Sequence, residues 1–468
     1  MNHLTTLDSG FLKAEDVDPR VSLAIGGLAV IEGPVPEQHD LVSVFSERIR
    51  ACPRFAQRLR RYPFDLGVPQ WVDDPDFDIA RHVRRVALPH PGDDDALYRL
   101  VADVMARRLD RDRPLWELWV IEGLAGERWA MLTKVHHCMA DGIAATHILT
   151  GLCDLTGLCD RDGGGAADGS ARCRAAQRPK TAAARSRSGL SGLWNAPAAI
   201  ASGVVRLAQG SGELVTGLLA PAASALTGPL SDLRRFSGAR VPMADLELVC
   251  ETFDVTINDV ALAAITESYR NVLLARGQQP QQGSLRTLVP VSVRADNAFD
   301  KTDNRVSAML PNLPVDEEDP VQRLRKVHAR LGQTKASGQP QAGNLFLSLA
   351  DRIPFALTAW TVGVLMRLPQ RGVATVATNV PGPRQPLQIM GRPVAAVFPV
   401  PPLAMHLRTG VAMLSYSDDL YFGILTDYNA VADVDQLARG IEAAVARLVA
   451  ISKRRKARRA RGLLSLVV

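Results

Sequence analysis

The chain is poor in aromatic residues, 5% of 468, and its six cysteines show no CxxC pairing. Cys52, Cys138, Cys153, Cys159, Cys173 and Cys250 are scattered, which argues against a disulfide framework or a structural zinc site and suits a reducing cytosol. The first fifteen residues lack a basic segment followed by an apolar one, so no secretory signal is expected. Long hydrophobic runs are missing too. Leu214–Ser231 holds 18 uncharged residues but is broken by Pro221, Gly228 and Pro229, and Ile353–Met366 holds only 14. A spanning helix needs about 20 apolar residues. There is no GxSxG elbow, no Walker loop and no GxGxxG, which leaves serine-elbow hydrolysis and phosphate cradling unsupported.

What is present is a chain 47% hydrophobic and 22% charged, enough for a sizeable core in two or three domains. The net charge of +6 is unevenly placed. Lys453, Arg454, Arg455, Lys456, Arg458, Arg459 and Arg461 crowd the last 18 residues without an acid, and residues 161–190 carry +5, leaving −6 for the rest. A basic face for nucleic acid is therefore not expected. The tail and its apolar end, Gly462–Val468, would be drawn to anionic lipid, or would form a solvated, frayed terminus. The expected location is cytoplasmic, peripheral to the inner membrane face or to lipid inclusions.

Alternating and helical patterns divide the chain into residues 1–160, a linker 161–240, residues 241–452 and the basic tail 453–468. The linker opens with low-complexity Gly, Ala, Ser, Arg and Pro and continues as apolar helix with breaks. The simplest architecture is two α+β halves of similar size. In the first, a helix lies over Gln38–Ala51, a second over Ala96–Leu109 is capped by Asp93–Asp95, and Leu115–Glu122 pairs with Trp129–Val135 as a hairpin. In the second, a connection over Leu246–Asp254 leads into a helix capped near Asn258. Strands follow at Leu285–Val293, Ala308–Leu313 and Val373–Asn379, helices at Asp319–Lys335 and Val434–Ile451. A hairpin joins Val411–Ser417 to Leu420–Asp427.

The most informative segment is Val135-His136-His137-Cys138-Met139-Ala140-Asp141-Gly142. Strand alternation sends the two histidines to opposite faces, so only one can serve a given cavity. Asp141 follows a short turn, Gly142 gives that turn conformational freedom, and a helix begins at Ile143. A histidine at a strand end, with an ordinary pKa near 6.5, suits a general base. Two other readings are a metal ligand pair of His137 and Asp141, which lacks further convergent ligands, and a satisfied core histidine.

His136–Gly142 is the HHxxxDG signature of CoA- or carrier-dependent acyltransferases similar to chloramphenicol acetyltransferase. With Leu7-Asp8-Ser9-Gly10-Phe11-Leu12, Pro114-Leu115-Trp116, Asn258-Asp259-Val260-Ala261-Leu262-Ala263 and Thr378-Asn379-Val380-Pro381-Gly382-Pro383, the chain resembles the bacterial wax-ester synthase/diacylglycerol acyltransferase (WS/DGAT) family from residue 4 to about 450. The resemblance implies two chloramphenicol-acetyltransferase-like α+β domains with mixed sheets and an active-site tunnel at their interface. It implies no bound cofactor and no metal, with acyl-CoA as co-substrate and diacylglycerol or a long-chain alcohol as acceptor. His137 would be the base, His136 a supporting motif residue, Asp141 a brace and Gly142 a turn residue. Asn258, Asn379 and Trp116 would line the substrate path. Asp141 is expected to pair with an arginine, Arg54 or Arg58; where family members often carry another arginine, this chain has Ala56. Condensation chemistry on carrier-bound chains and lipid binding without turnover are the competing readings.

Overall fold

A computed structural model describes residues 3–50, 52–62, 67–140, 142–154, 226–292, 306–336, 373–404 and 406–464. Asp141, residues 161–190, Ile353–Met366 and most of Leu214–Ser231 lie outside them.

Helix α1 (Thr6–Val17) starts on Thr5, whose hydroxyl accepts the Asp8 amide. Strand β1 (Ala24–Glu32) leads to α2 (Gln38–Arg50), which buries Leu41, Phe45 and Ile49. A small ribbon, β2 (Gln57–Arg60) with β3 (Gln70–Asp73), precedes β4 (Val83–Ala87). Helix α3 (Asp94–Ala106) is capped by the Asp93 side chain, as its acidic start predicts. The hairpin β5 (Trp116–Leu124) and β6 (Arg128–His136) follows, then α4 (Gly142–Gly151), which opens one residue before the expected Ile143.

After residue 226 come β7 (Arg234–Pro242), α5 (Met243–Phe253), α6 (Ile257–Ala275), β8 (Thr287–Ser292), β9 (Val306–Met309) and α7 (Pro320–Ala336). The C-terminal part holds β10 (Thr375–Val380), β11 (Gln388–Ile389), β12 (Arg392–Val400), β13 (Thr409–Tyr416), β14 (Asp419–Asp427) and α8 (Val434–Leu464). Three expectations are corrected. Leu246–Asp254 is mostly helix rather than connection, burying Leu246, Val249 and Cys250. The stretch read as linker ends in a strand, because residues 234–240 pair with β14. The cap of α6 is Thr256, not Asn258: the Thr256 hydroxyl accepts the Asp259 amide while the Asp259 carboxylate accepts the Thr256 amide, a reciprocal pair that holds two otherwise unpaired donors.

Two six-stranded mixed sheets result, in the orders β11-β12-β1-β6-β5-β4 and β7-β14-β13-β10-β8-β9. In the first, only β4 and β5 run parallel. In the second, β10 runs parallel to both β13 and β8. The first sheet is completed from the second half of the chain: β12 pairs antiparallel with β1, from Gly26 opposite Val400 to Ile31 opposite Val394. Helix α3 packs one face of β1 through Met105 beside Gly26, and α4 packs the other through Leu149 beside Gly27.

An aromatic seam ties the halves. Phe398 of β12 meets Tyr421 of β14 edge-on at 5.2 Å, and Tyr98 of α3 meets Phe236 of β7 at 5.4 Å. The Tyr416 hydroxyl donates to Val394 O at 2.8 Å and accepts the Leu387 amide at 2.9 Å. Beside this seam β12 and β14 approach so closely that a Cβ on Gly423 would fall on the Pro399 carbonyl. Gly423→Ala must separate the sheets, so the expected loss is about 1–3 kcal/mol of unfolding free energy, read from urea denaturation; an unchanged midpoint would show that the seam gives way freely.

Candidate active site

Strand β6 brings the motif to its place. Its residues Leu132, Lys134 and His136 share the face toward α3, and the chain turns immediately afterwards through 137–139 into α4 on the opposite face. The Lys134 ammonium, 1% exposed, donates to Val104 O at 2.7 Å and Arg107 O at 2.6 Å, the free carbonyls where α3 ends. Burial pushes that amine down to about 8. The side chain fastens α3 to the strand that carries the histidines.

His136 is equally buried, 1% exposed. Its Nδ1 accepts the Cys138 amide at 3.1 Å, which puts the ring proton on Nε2. That Nε2 lies 3.4 Å from Glu15 Oε1. Glu15 Oε1 also accepts the Leu23 amide at 2.7 Å, and Oε2 accepts Arg111 Nη2 at 2.9 Å. Arg111 reaches Asp16 as well, at 2.5 Å, and Asp16 reaches Arg61 at 2.9 Å. Burial alone would raise the Glu15 pKa, but His136, Arg111 and the Leu23 amide outweigh it and hold the carboxyl down to about 2.

The backbone of the motif is held on both sides. The His136 amide donates to Leu115 O and the His137 amide to Leu23 O, both at 2.9 Å, while Met139 N–H closes the turn on His136 O at 2.8 Å. Leu23 thus gives its amide to Glu15 and its carbonyl to His137, coupling the two histidines through one residue. The His137 ring is half-buried, with the Phe11 ring 4.3 Å away and tilted by 36°. Phe11 and Glu15 lie one turn apart on α1, so a single helix face meets both histidines. The Cys138 thiol beside them is wholly buried; burial, with Asp8 and Glu15 adding to it, pushes its pKa well above the ordinary range, which leaves it a poor nucleophile.

The other predicted residues are placed as follows. Gly142 is the first residue of α4, and Asp141 lies outside the described residues. Arg54 lies with its guanidinium 4.5 Å from the Trp71 ring centroid, and Arg58 lies 3.8 Å from Asp74. Ala56 ends a short turn, Pro53–Ala56. Trp116 is buried, opposite Val135 in the β5–β6 ladder; its Nε1 donates to Phe55 O at 2.8 Å and its ring stacks on His82 at 4.5 Å. Asn258 sits in the first turn of α6, and its Oδ1 is buried without a hydrogen-bond partner among the described residues. Asn379 is exposed on β10, which touches α4; in the turn beyond it the Gly382 amide donates to Ser415 Oγ at 3.0 Å. His136, His137, Gly142 and Trp116 therefore gather at one end of the first sheet, while Asn258 and Asn379 come from the second half. Glu15 and Arg111 were not singled out from the sequence, although Asp8, Phe11, Leu12 and Glu15 recur at helical spacing and put a carboxylate on an apolar stripe. Among the described residues no group of three or more His, Cys, Asp or Glu is arranged to hold a metal ion. No described helix is long and apolar enough to cross a membrane.

This is the arrangement of an HHxxxDG acyltransferase on a doubled α+β scaffold. Residues 4–261 match the wax ester synthase/diacylglycerol acyltransferase catalytic domain, and residues 302–448 match the WS/DGAT C-terminal domain. The chain belongs to the WS/DGAT family and is an acyltransferase of that class. A Mycobacterium tuberculosis protein named as a probable diacylglycerol O-acyltransferase is 65% identical over 472 residues, covering 100% of both chains. The fold is similar to that of a wax ester synthase/diacylglycerol acyltransferase from Marinobacter aquaeolei, with TM-score 0.66 and 24% identity over 96% of this chain and 100% of that one. It is also similar to a starter condensation domain of rhizomide synthetase solved with C8-CoA and Leu-SNAC, with TM-score 0.58 and 13% identity over 97% of this chain and 94% of that one. The expected fold class, two acyltransferase-like halves with mixed sheets, is thereby established.

The Glu15 carboxyl gives this site an acid signature. Because its pKa falls from 4.5 to about 2 on folding, its contribution is fully present above 4.5 and is lost as pH drops toward 2. Glu15→Gln is expected to lower unfolding free energy at neutral pH by on the order of 3 kcal/mol and to flatten the acid limb between those values. Urea unfolding across pH checks this; an acid limb as steep as the parent's would detach Glu15 from the network.

Proposed function

We propose that the protein joins the acyl group of a long-chain acyl-CoA to the hydroxyl of diacylglycerol, or of a long-chain alcohol, with His137 as the general base. The observation that carries this reading is the His137 ring: half-buried, backed by Phe11, and held at the end of β6 through the bond from its amide to Leu23. An imidazole so placed can take a hydroxyl proton without being sealed in the core. The identity to a protein named as a diacylglycerol O-acyltransferase supports the acceptor, and the condensation domain solved with C8-CoA supports the donor.

In this mechanism His137 removes the acceptor's hydroxyl proton as its oxygen attacks the thioester carbonyl. The tetrahedral intermediate collapses, the C–S bond breaks, and the CoA sulfur takes the proton back from the imidazolium. An ester and free CoA result, without an acyl-enzyme; the inert Cys138 thiol is consistent with direct transfer. His136 keeps the strand end in register through Glu15, and Asp141 and Gly142 brace and start the following helix. Asn258 is the candidate oxyanion donor: with Thr256 already capping α6, its side-chain amide is not spent on the helix end, and the helix start adds partial positive charge. Asn379 and the Pro381–Pro383 turn shape the second-half side of the substrate path, and Trp116 supports it from the core. The protein works without a bound cofactor, and meets its apolar acceptor at the inner membrane face or at lipid inclusions.

His137→Ala is expected to lower kcat about 10²–10⁴-fold with palmitoyl-CoA and either diacylglycerol or hexadecanol, measured as free thiol. Activity equal to the parent would remove His137 from the role of base. Preference for a carrier-tethered chain over acyl-CoA would select condensation chemistry, which the shared fold also accommodates.

A further inference from the structure

Helix α8 continues well past the body it packs on. Its buried stripe, Val434, Leu437, Ala438, Ile441, Ala444, Val445, Leu448 and Val449, ends at Ser452, yet the helix runs to Leu464. From there on the helix is cationic: Lys453, Arg454, Arg455, Lys456 and Arg458 lie in six consecutive positions, and no acid follows Glu442. Two of these side chains hold the helix to α5. Arg455 stacks its guanidinium on Phe253 at 4.7 Å, and Lys456 pairs with Glu251 at 3.0 Å. Lys453, Arg454 and Arg458 are exposed and make no ion pair among the described residues. Arg454 and Arg458 are one turn apart. The charge separation is pronounced, since residues outside this tail and the 161–190 stretch net −6.

We propose that this row, Lys453, Arg454 and Arg458, is a docking surface for an anionic phospholipid bilayer. Three physical points favour lipid over nucleic acid. The row is short and carries no aromatic residue for base stacking, since the sequence from Ile451 onward has none. The negative body would be repelled by an extended polyanion that wrapped it, whereas a single helix end can touch a flat anionic surface and leave the body in water. The chain beyond the row, Gly462–Val468, is uncharged and apolar, which suits an interface. The proposal goes beyond the chemistry proposed for His137, because it concerns where the acceptor is met and not how it reacts.

The test uses the full chain with Lys453→Gln, Arg454→Gln and Arg458→Gln combined, three exposed positions outside the catalytic machinery. Flotation with phosphatidylcholine vesicles, with and without phosphatidylglycerol, reads binding; hexanol with a soluble acyl-CoA reads chemistry away from any surface. The parent is expected to float with the phosphatidylglycerol vesicles and not with phosphatidylcholine alone. The variant should bind on the order of 100-fold more weakly, keep its rate on hexanol, and show a raised apparent KM for diacylglycerol presented in phosphatidylglycerol vesicles. Equal flotation of parent and variant, or no flotation of the parent, overturns the proposal. So does tighter parent binding to a DNA duplex than to the vesicles at equal ionic strength. Loss of the hexanol rate in the parent itself would instead count against the proposed function.

Discussion

One carboxylate organises the end of the first sheet that carries the HHxxxDG motif. Glu15, 1% exposed on α1, accepts an amide from Leu23 and a guanidinium from Arg111 while facing the ring of His136. A buried charge of this kind is tolerable only because every side of it is answered. Each answer pins a different element: Leu23 enters β1, Arg111 precedes β5, and His136 ends β6. Three adjacent strands of the first sheet, β1, β6 and β5, thus converge on a single helix. The residue that gains is His137, whose backbone rests on Leu23 and whose ring rests on Phe11 of that same helix. The first histidine of the motif is a buried structural member and the second is left half-open, as the proposed role of base requires.

The same economy links this end to the other half of the chain. Helix α4, which carries the motif's end forward, stops at a loop fixed by Asp154. That carboxylate pairs with Arg48 of α2 and accepts the Gly391 amide at 2.6 Å, while the Asp154 amide donates to Gln388 O at 2.7 Å. Gln388 and Gly391 flank the narrow turn into β12, the strand that the second half lends to the first sheet. Helix α4, the lent strand and the aromatic seam are therefore one mechanical unit that joins the two halves.

Much of this was legible beforehand where the determinants are local. The β5–β6 hairpin follows from two apolar runs around Gly123–Arg128, the β13–β14 hairpin from alternation across 418–419, and the α3 cap from Asp93. The opposed directions of His136 and His137 follow from the pleat. What escaped depends on partners far away in the chain. Nothing in Arg392–Val400 announces that it will pair with β1 rather than with its neighbours, because such pairing leaves no mark on local pattern. Thr256 was overlooked as a cap because Asn258 is also a capping residue type, and only the reciprocal bond with Asp259 distinguishes them. Glu15 was hidden by its type: an acid near a terminus is ordinarily solvated, and its burial becomes evident only once Arg111, far along the chain, is beside it.

If the lock on His136 is what makes His137 effective, its loss must appear in the chemical step and not in substrate affinity, since Glu15 is shielded behind the histidines. The most direct measurement is steady-state kinetics of folded Glu15→Gln, with acyl-CoA and a soluble alcohol both varied. The account predicts a lower kcat with the KM values for both substrates close to the parent's. An unchanged kcat, or a change confined to KM, would contradict it.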